Sequence, residues 1–129
     1  MLGFSYRRTL FWGFVTYSAV FFMWTVLSTY GLSSGLGAQI VGYIVTFVAV
    51  WGATYSIGTT SFLDAIKYGA GFAIVHIALD AVVVLPTIGA AAFYSPYVWI
   101  GYAIALLTSL LAMLYIRLRS PSSVPEIVQ

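Results

Sequence analysis

The sequence has very little charge and no cysteine. Of its 129 residues, 6% are charged and 62% are hydrophobic, and no charged residue occurs between Arg8 and Asp64. A soluble domain needs a polar surface, so this composition indicates a polytopic membrane protein. The absence of cysteine excludes disulfide bonds, thiolate metal sites and covalently attached c-type haem. The few basic residues flank the apolar runs, so they report membrane topology and do not indicate nucleic-acid binding.

The apolar runs divide into four segments, each long enough for the roughly 20 residues that cross a bilayer core. The sequence therefore predicts an all-α integral membrane protein with one four-helix transmembrane domain over residues 1–119. A polar tail is predicted at 120–129. The predicted spans are 9–30, 38–57, 62–85 and 96–118.

Helix-breaking and capping residues set these boundaries. The first loop, at 31–37, contains three glycines and two serines. Ser61 and Asp64 have the spacing of a capping box, which starts a helix by satisfying its first free amides. Pro86 and Gly89 are expected to end the third span near Leu85, and Pro96 fits the first turn of the fourth.

The positive-inside rule predicts the orientation, because the basic residues all fall on one side of a four-span arrangement. The loops at 31–37 and 87–96 carry no charge. Both termini are therefore expected to be cytoplasmic. The topology anchors in this prediction are Arg7, Arg8, Lys67, Arg117 and Arg119.

Small residues at four-three spacing mark the helix faces that pack against protein. Small side chains let membrane helices approach closely, and a 3.5-residue period predicts a left-handed bundle. The predicted packing positions are Gly42, Ala49, Ala53, Gly69, Ala73, Gly101, Ala105 and Ala112. The first span instead carries aromatic side chains around its circumference, which is more typical of a lipid-facing or inter-subunit surface than of a cofactor site.

His76 and Asp80 are the candidate site. They lie four residues apart on one face of the third span, and ionisable residues at membrane depth are rare and usually functional or paired. A rise of about 1.5 Å per residue places His76 near mid-membrane and Asp80 in the outer half. A direct or water-bridged hydrogen bond between them is feasible, and their titration would be coupled. The same pair also fits a purely structural polar contact that holds helix register.

Other chemistry has little support in the residues. One His and one Asp provide only two ligands, whereas a catalytic zinc needs three, so we expect no metal and no cofactor. The serines and threonines lack a recognisable base other than His76, so we do not expect an enzyme.

The segment 68–86 resembles the third span of uncharacterised small four-span prokaryotic membrane proteins, in which Leu-Asp is followed about five residues later by Pro. This resemblance covers about twenty residues and implies no activity. His76 and Asp80 also resemble the His-x-x-x-Asp element of succinate dehydrogenase membrane anchors. The anchors' neighbouring arginine and upstream signature are absent from this chain.

Three functions are compatible with these features. The leading hypothesis is a non-catalytic structural or accessory integral-membrane subunit, in contact with the lipid bilayer and with other membrane subunits or copies of itself. Its location would be the cell membrane or the lipid layer of a larger assembly. The alternative is a small oligomeric channel or proton-coupled transporter that uses His76 and Asp80. A weaker alternative is a haem- or quinone-binding anchor with His76 as a ligand.

Overall fold

A computed structural model describes residues 3–120. Four α-helices account for most of this part of the chain, and no strand occurs in it. The helices are α1 (Tyr6–Thr29), α2 (Leu36–Ile57), α3 (Phe62–Ile88) and α4 (Pro96–Arg119), with a short 3₁₀ helix at Ala90–Tyr94 before α4. By length and composition all four α-helices can cross a membrane, which confirms the predicted multi-pass, all-α class. Of the predicted polar tail, residues 121–129 lie outside the described residues.

The helix starts follow local capping. The Ser61 hydroxyl accepts a hydrogen bond from the Asp64 backbone N–H at 3.5 Å, so Ser61 is the N-cap of α3. Ser5 caps α1 in the same way through the backbone N–H of Arg8, which explains why α1 begins three residues before the predicted start at residue 9. Pro96 occupies the first turn of α4, where a missing N–H costs nothing.

The predicted end of α3 near Leu85 is wrong, because the helix continues through Pro86 to Ile88. A proline near the end of a helix removes only one backbone hydrogen bond, so the last turn can tolerate it. Thr87 supports this turn, since its hydroxyl oxygen lies 2.9 and 3.0 Å from the carbonyl oxygens of Val83 and Val84, and its one hydrogen can bond to either or be shared between them. Gly89 then ends α3 with φ +89°, a left-handed backbone conformation that favours glycine.

The four helices form a ring in the order α1, α2, α4, α3. Each of α1 and α4 packs extensively against both α2 and α3, whereas α2 and α3 contact each other only slightly. The backbones of α1 and α4 lie at opposite corners and do not contact each other. Any interaction between α1 and α4 must therefore be made by long side chains that reach across the middle of the bundle.

One end of the bundle is densely packed. Its core consists of Val50, Ala53, Tyr68, Phe72 and Ala105. The segment before α1 covers this core, because the Tyr68 hydroxyl accepts a hydrogen bond from the Ser5 N–H at 3.0 Å. The starts of α1 and α3 and the end of α4 lie at this end, and with them all the basic residues, so we call it the basic end.

The small residues differ in how closely the neighbouring helix approaches. Among the predicted packing positions Ala49, Ala73 and Gly101 are half-buried, and the other five are buried: Gly42, Ala53, Gly69, Ala105 and Ala112. A Cβ atom on Gly69 would lie 3.0 Å from the Leu106 Cα atom, so α3 and α4 are in close contact there. A Cβ atom on Gly101 would meet nothing within 4 Å, so this glycine does not mark a close helix contact.

Candidate functional site

A cavity of about 610 Å³ lies in the half of the bundle opposite the basic end. All four helices contribute to its wall, together with Ser33 from the first loop and Phe93 from the 3₁₀ helix. We call it the central cavity. It extends from the uncharged loops to His76 and Asp80. The central cavity thus occupies the half of the bundle away from the dense core.

His76 projects from the middle of α3 and is buried, with 6% of its surface exposed. Its Nε2 atom lies 3.0 Å from the hydroxyl of Thr16 in α1, and that hydroxyl also lies 3.0 Å from the Gly13 carbonyl oxygen. A hydroxyl has only one hydrogen to donate. Both bonds are satisfied when Nε2–H donates to Thr16 and Thr16 donates to Gly13, which leaves Nδ1 of a neutral ring as an acceptor.

Asp80 is half-buried one helical turn further along α3, and its carboxylate accepts hydrogen bonds from two hydroxyl groups. Tyr17 of α1 donates to Oδ1 at 3.1 Å, and Tyr102 of α4 donates to Oδ2 at 2.6 Å. The carboxylate therefore connects the two helices whose backbones do not touch. Since a carboxylate offers about four acceptor positions, these two bonds leave room for a further partner from the cavity.

His76 and Asp80 are not hydrogen-bonded to each other, so the direct bond considered from their spacing is absent from the structure. Tyr17 connects them instead. Its ring packs edge-on against the His76 ring, with 5.4 Å between centroids and 84° between planes, while its hydroxyl binds Asp80. Any coupling between the two ionisable groups would therefore pass through Tyr17 or through a molecule in the central cavity.

The wall of the central cavity is aromatic, and its charge is of one sign. Tyr97 lies between Tyr43, at 4.9 Å between ring centroids, and Trp24, at 5.7 Å. Among residues 3–120, Asp80 is the only acidic side chain in the wall, and no lysine or arginine of that range lines it. The predicted anchors Arg7, Arg8, Lys67, Arg117 and Arg119 all lie at the basic end, away from the cavity. Lys67 and Arg119 there lie over the rings of Phe4 and Tyr115.

Two of the predicted packing glycines belong to the cavity region. Gly42 lies directly against the Tyr97 hydroxyl, so a larger side chain at this position would displace Tyr97. Gly101 lines the cavity wall. The α4 face that packs inward begins instead with its neighbour Tyr102, which is 8% exposed.

Sequence reasoning did not identify Thr16, Tyr17 or Tyr102 as site residues. A usable signal existed in α1, where the buried positions Thr9, Gly13 and Thr16 repeat the four-three spacing of small residues seen in the other spans. That spacing defines an inward face, and Tyr17 and Trp24 lie beside it. The aromatic residues of α1 are in fact divided, since Phe11, Phe14 and Phe22 are exposed while Tyr17 and Trp24 line the cavity.

Within residues 3–120 no three His, Asp or Glu side chains come together as metal ligands. Comparison of the chain with protein-family models, with curated proteins and with solved structures finds no match. The function must therefore be argued from the geometry of the site.

Proposed function

We propose that this chain is a small non-catalytic membrane transport protein, a proton-coupled transporter whose site is formed by His76, Asp80 and the central cavity. The observation that carries the proposal is the cavity itself. A polar pair that only held helices in register would need no space beside it, yet about 610 Å³ extends from the uncharged end of the bundle to Asp80. Pockets of this size hold small organic molecules.

Asp80 can couple protonation to helix position. As a carboxylate it accepts hydrogen bonds from Tyr17 and Tyr102 at once. A protonated carboxyl loses its negative charge and accepts hydrogen bonds more weakly, above all at its hydroxyl oxygen, so protonation would weaken at least one of the two tyrosine bonds. Protonation would then alter the connection between α1 and α4. His76, Tyr17 and Tyr102 are the titratable groups that face Asp80 in the described residues.

The packed core at the basic end would act as the inner gate. For a solute to cross the membrane, the helices would have to separate around Val50, Tyr68 and Phe72, all fully buried. The hydrogen bond between Thr54 of α2 and Ser109 of α4, at 3.2 Å, would be among the contacts that open. The described conformation thus fits the state of a transporter that is open at one side only.

The orientation of the bundle in the membrane and its contact with other copies of the chain also bear on transport. We propose a left-handed bundle in the cell membrane with both termini cytoplasmic, because the basic residues share one end of the bundle and the small-residue period is 3.5. The central cavity would then face the outside. We further propose that the transporter works in contact with copies of itself, and that it belongs among small four-span prokaryotic membrane proteins, as the resemblance over 68–86 suggests.

Flux measurements in proteoliposomes test the proposal. We expect the wild-type protein to carry a pH-dependent proton flux between pH 5 and 8 and Asp80→Asn to abolish it in a folded protein, because the amide cannot take up a proton. His76→Ala should shift or remove the pH dependence. Asp64→Asn, a matched change at the basic end of α3, should leave the flux unchanged. A wild-type protein without flux at any pH would contradict the transporter.

A structural or accessory membrane subunit is the second candidate, and one observation favours it. Within the described residues every buried polar side-chain atom has a hydrogen-bond partner, and Asp80 joins two helices that otherwise lie apart. A complete network of this kind can serve stability alone. Absence of flux together with stable copurification of other membrane proteins would support this function. A haem or quinone anchor has less support, since Nε2 of His76 is already bonded to Thr16.

A further inference from the structure

We propose that the central cavity binds a lipophilic organic cation of the quaternary ammonium or phosphonium class, with the Asp80 carboxylate as its counter-charge. The inference rests on the proposed function in taking the central cavity as the solute site. It adds the chemical class of the solute. Three features of the site carry it: the charge in the wall, the arrangement of the rings and the hydrogen bonds already made by Asp80.

The charge of the site selects cations. In the part of the chain that the structure describes, Asp80 is the single acid in the wall, and no lysine or arginine lines the cavity. The nearest ionisable neighbour on the same helix, His76, uses Nε2 to bind Thr16 and does not bind Asp80. A carboxylate without a cationic partner attracts a positive charge more strongly between low-dielectric walls than in bulk water, because the charge is less screened there. An anion would meet only repulsion from Asp80.

The aromatic rings select organic cations of low hydration. In the cavity wall, the Tyr97 ring packs against the rings of Tyr43 and Trp24. Closer to the site, Tyr17 and Tyr102 each bind one carboxylate oxygen of Asp80. The face of an aromatic ring attracts a cation within about 6 Å, and the attraction is stronger where the pair is desolvated. Groups of aromatic rings are the arrangement by which proteins recognise quaternary ammonium groups.

A metal cation fits the site poorly. Hard metal ions require six or more oxygen ligands, and a zinc ion requires three or four nitrogen, sulfur or oxygen ligands. Asp80 provides one carboxylate, and the two tyrosine hydroxyls beside it donate hydrogen to that carboxylate. A neutral apolar molecule could occupy the volume, but it would leave the negative charge of Asp80 without a counter-charge.

A pair of probes with the same shape and opposite charge tests the inference without any mutation. Tetraphenylphosphonium and tetraphenylborate are measured by equilibrium dialysis against the full chain in lipid nanodiscs, with empty nanodiscs as the blank. We expect saturable binding of tetraphenylphosphonium in excess of the blank and no such binding of tetraphenylborate. Equal saturable binding of both probes, or binding of neither, would overturn the inference.

Variants then locate the site. Asp80→Asn should weaken tetraphenylphosphonium binding at least about tenfold, and Trp24→Leu should weaken it several-fold because one cation–π partner is lost. Each variant has a control that does not line the cavity: Asp64→Asn for the charge, and Phe22→Leu, on the exposed face of α1, for the aromatic ring. Controls that weaken binding as much as the cavity variants would overturn the site. If Asp80→Asn fails to fold, the Trp24 and Phe22 pair still decides.

The binding and flux experiments distinguish failure of the cation inference from failure of the proposed transport function. Asp80-dependent proton flux without selective phosphonium binding would overturn the cation inference and leave the transporter standing. Selective phosphonium binding that depends on Asp80 and Trp24, in a protein without any flux, would support the cation site and contradict transport.

Discussion

At the scale of single residues, Asp80 holds together two helices that have no backbone contact. Its two carboxylate oxygens accept hydroxyls from opposite corners of the ring, Tyr17 on α1 and Tyr102 on α4. Hydrogen bonds between membrane helices are individually modest, because the separated helices can find other partners. Asp80 therefore stabilises the bundle moderately, and its particular effect is to fix the distance between α1 and α4 at the bottom of the central cavity.

Substitutions at Asp80 should distinguish the contribution of side-chain shape to stability from that of the hydrogen bonds. Asp80→Asn keeps an acceptor oxygen for one tyrosine and an amide for the other, so we expect thermal stability in detergent close to that of the wild type. Asp80→Leu leaves both tyrosine hydroxyls without a partner, at a cost of about 1 to 2 kcal/mol. Val82→Leu, which adds bulk at a position that is 71% exposed, is the control and should be neutral. Equal stability of the Leu and Asn variants would show that the network contributes nothing.

The sequence drew attention to the two ionisable residues of the candidate site but not to their hydrogen-bond partners. His76 and Asp80 are evident because charge is so rare in this chain. Tyr17 and Tyr102 could not be selected, because the chain contains ten tyrosines and helical spacing alone does not say which of them reach across a ring of four helices. The spacing of His76 and Asp80 suggested a mutual bond, whereas tertiary packing gave each of them a partner on another helix.

At the scale of helices, glycine has two different roles that look the same in the sequence. Gly69 lies where α3 approaches the backbone of α4, and Gly52 lies on an open face of α2 with nothing near it. Both are in helix interiors, where glycine costs roughly 0.5 to 1 kcal/mol relative to alanine. The number and type of the helices were predictable from the long apolar runs. Which small residues lie at close helix contacts was not predictable, because this depends on where the neighbouring helix lies. Gly101, for example, was a predicted packing position, but a Cβ atom there would meet nothing within 4 Å.

We therefore expect opposite effects from the same substitution at these two glycines. Gly69→Ala should destabilise the bundle by about 1 to 3 kcal/mol, since the new methyl group would be 3.0 Å from the Leu106 Cα atom and the helices would have to separate. Gly52→Ala should stabilise the protein by about 0.5 to 1 kcal/mol through helix propensity. Thermal unfolding in one detergent measures both. A stabilising Gly69→Ala would mean that α3 and α4 are less closely packed than the structure indicates.

At the scale of the whole molecule, the two ends of the bundle differ in both packing and charge. The basic end contains the dense core and every Lys and Arg of the chain, and the opposite end contains the central cavity and uncharged loops. Positive residues are retained on the cytoplasmic side during insertion. If the bundle follows this rule, the closed end faces the cytoplasm and the cavity faces outward, so the direction from which a solute enters follows from charge placement alone.

Single-cysteine labelling tests this orientation, and the chain suits it because it contains no cysteine. Ser34→Cys lies in the exposed first loop at the cavity end, and Ser120→Cys lies just after α4 at the basic end. In intact cells a membrane-impermeant maleimide should modify the first variant and spare the second, while both should react after the membrane is permeabilised. The reverse pattern would place the cavity on the cytoplasmic side. Labelling of both variants in intact cells would contradict the four-span arrangement, because α2, α3 and α4 separate the two positions and should place them on opposite sides of the membrane.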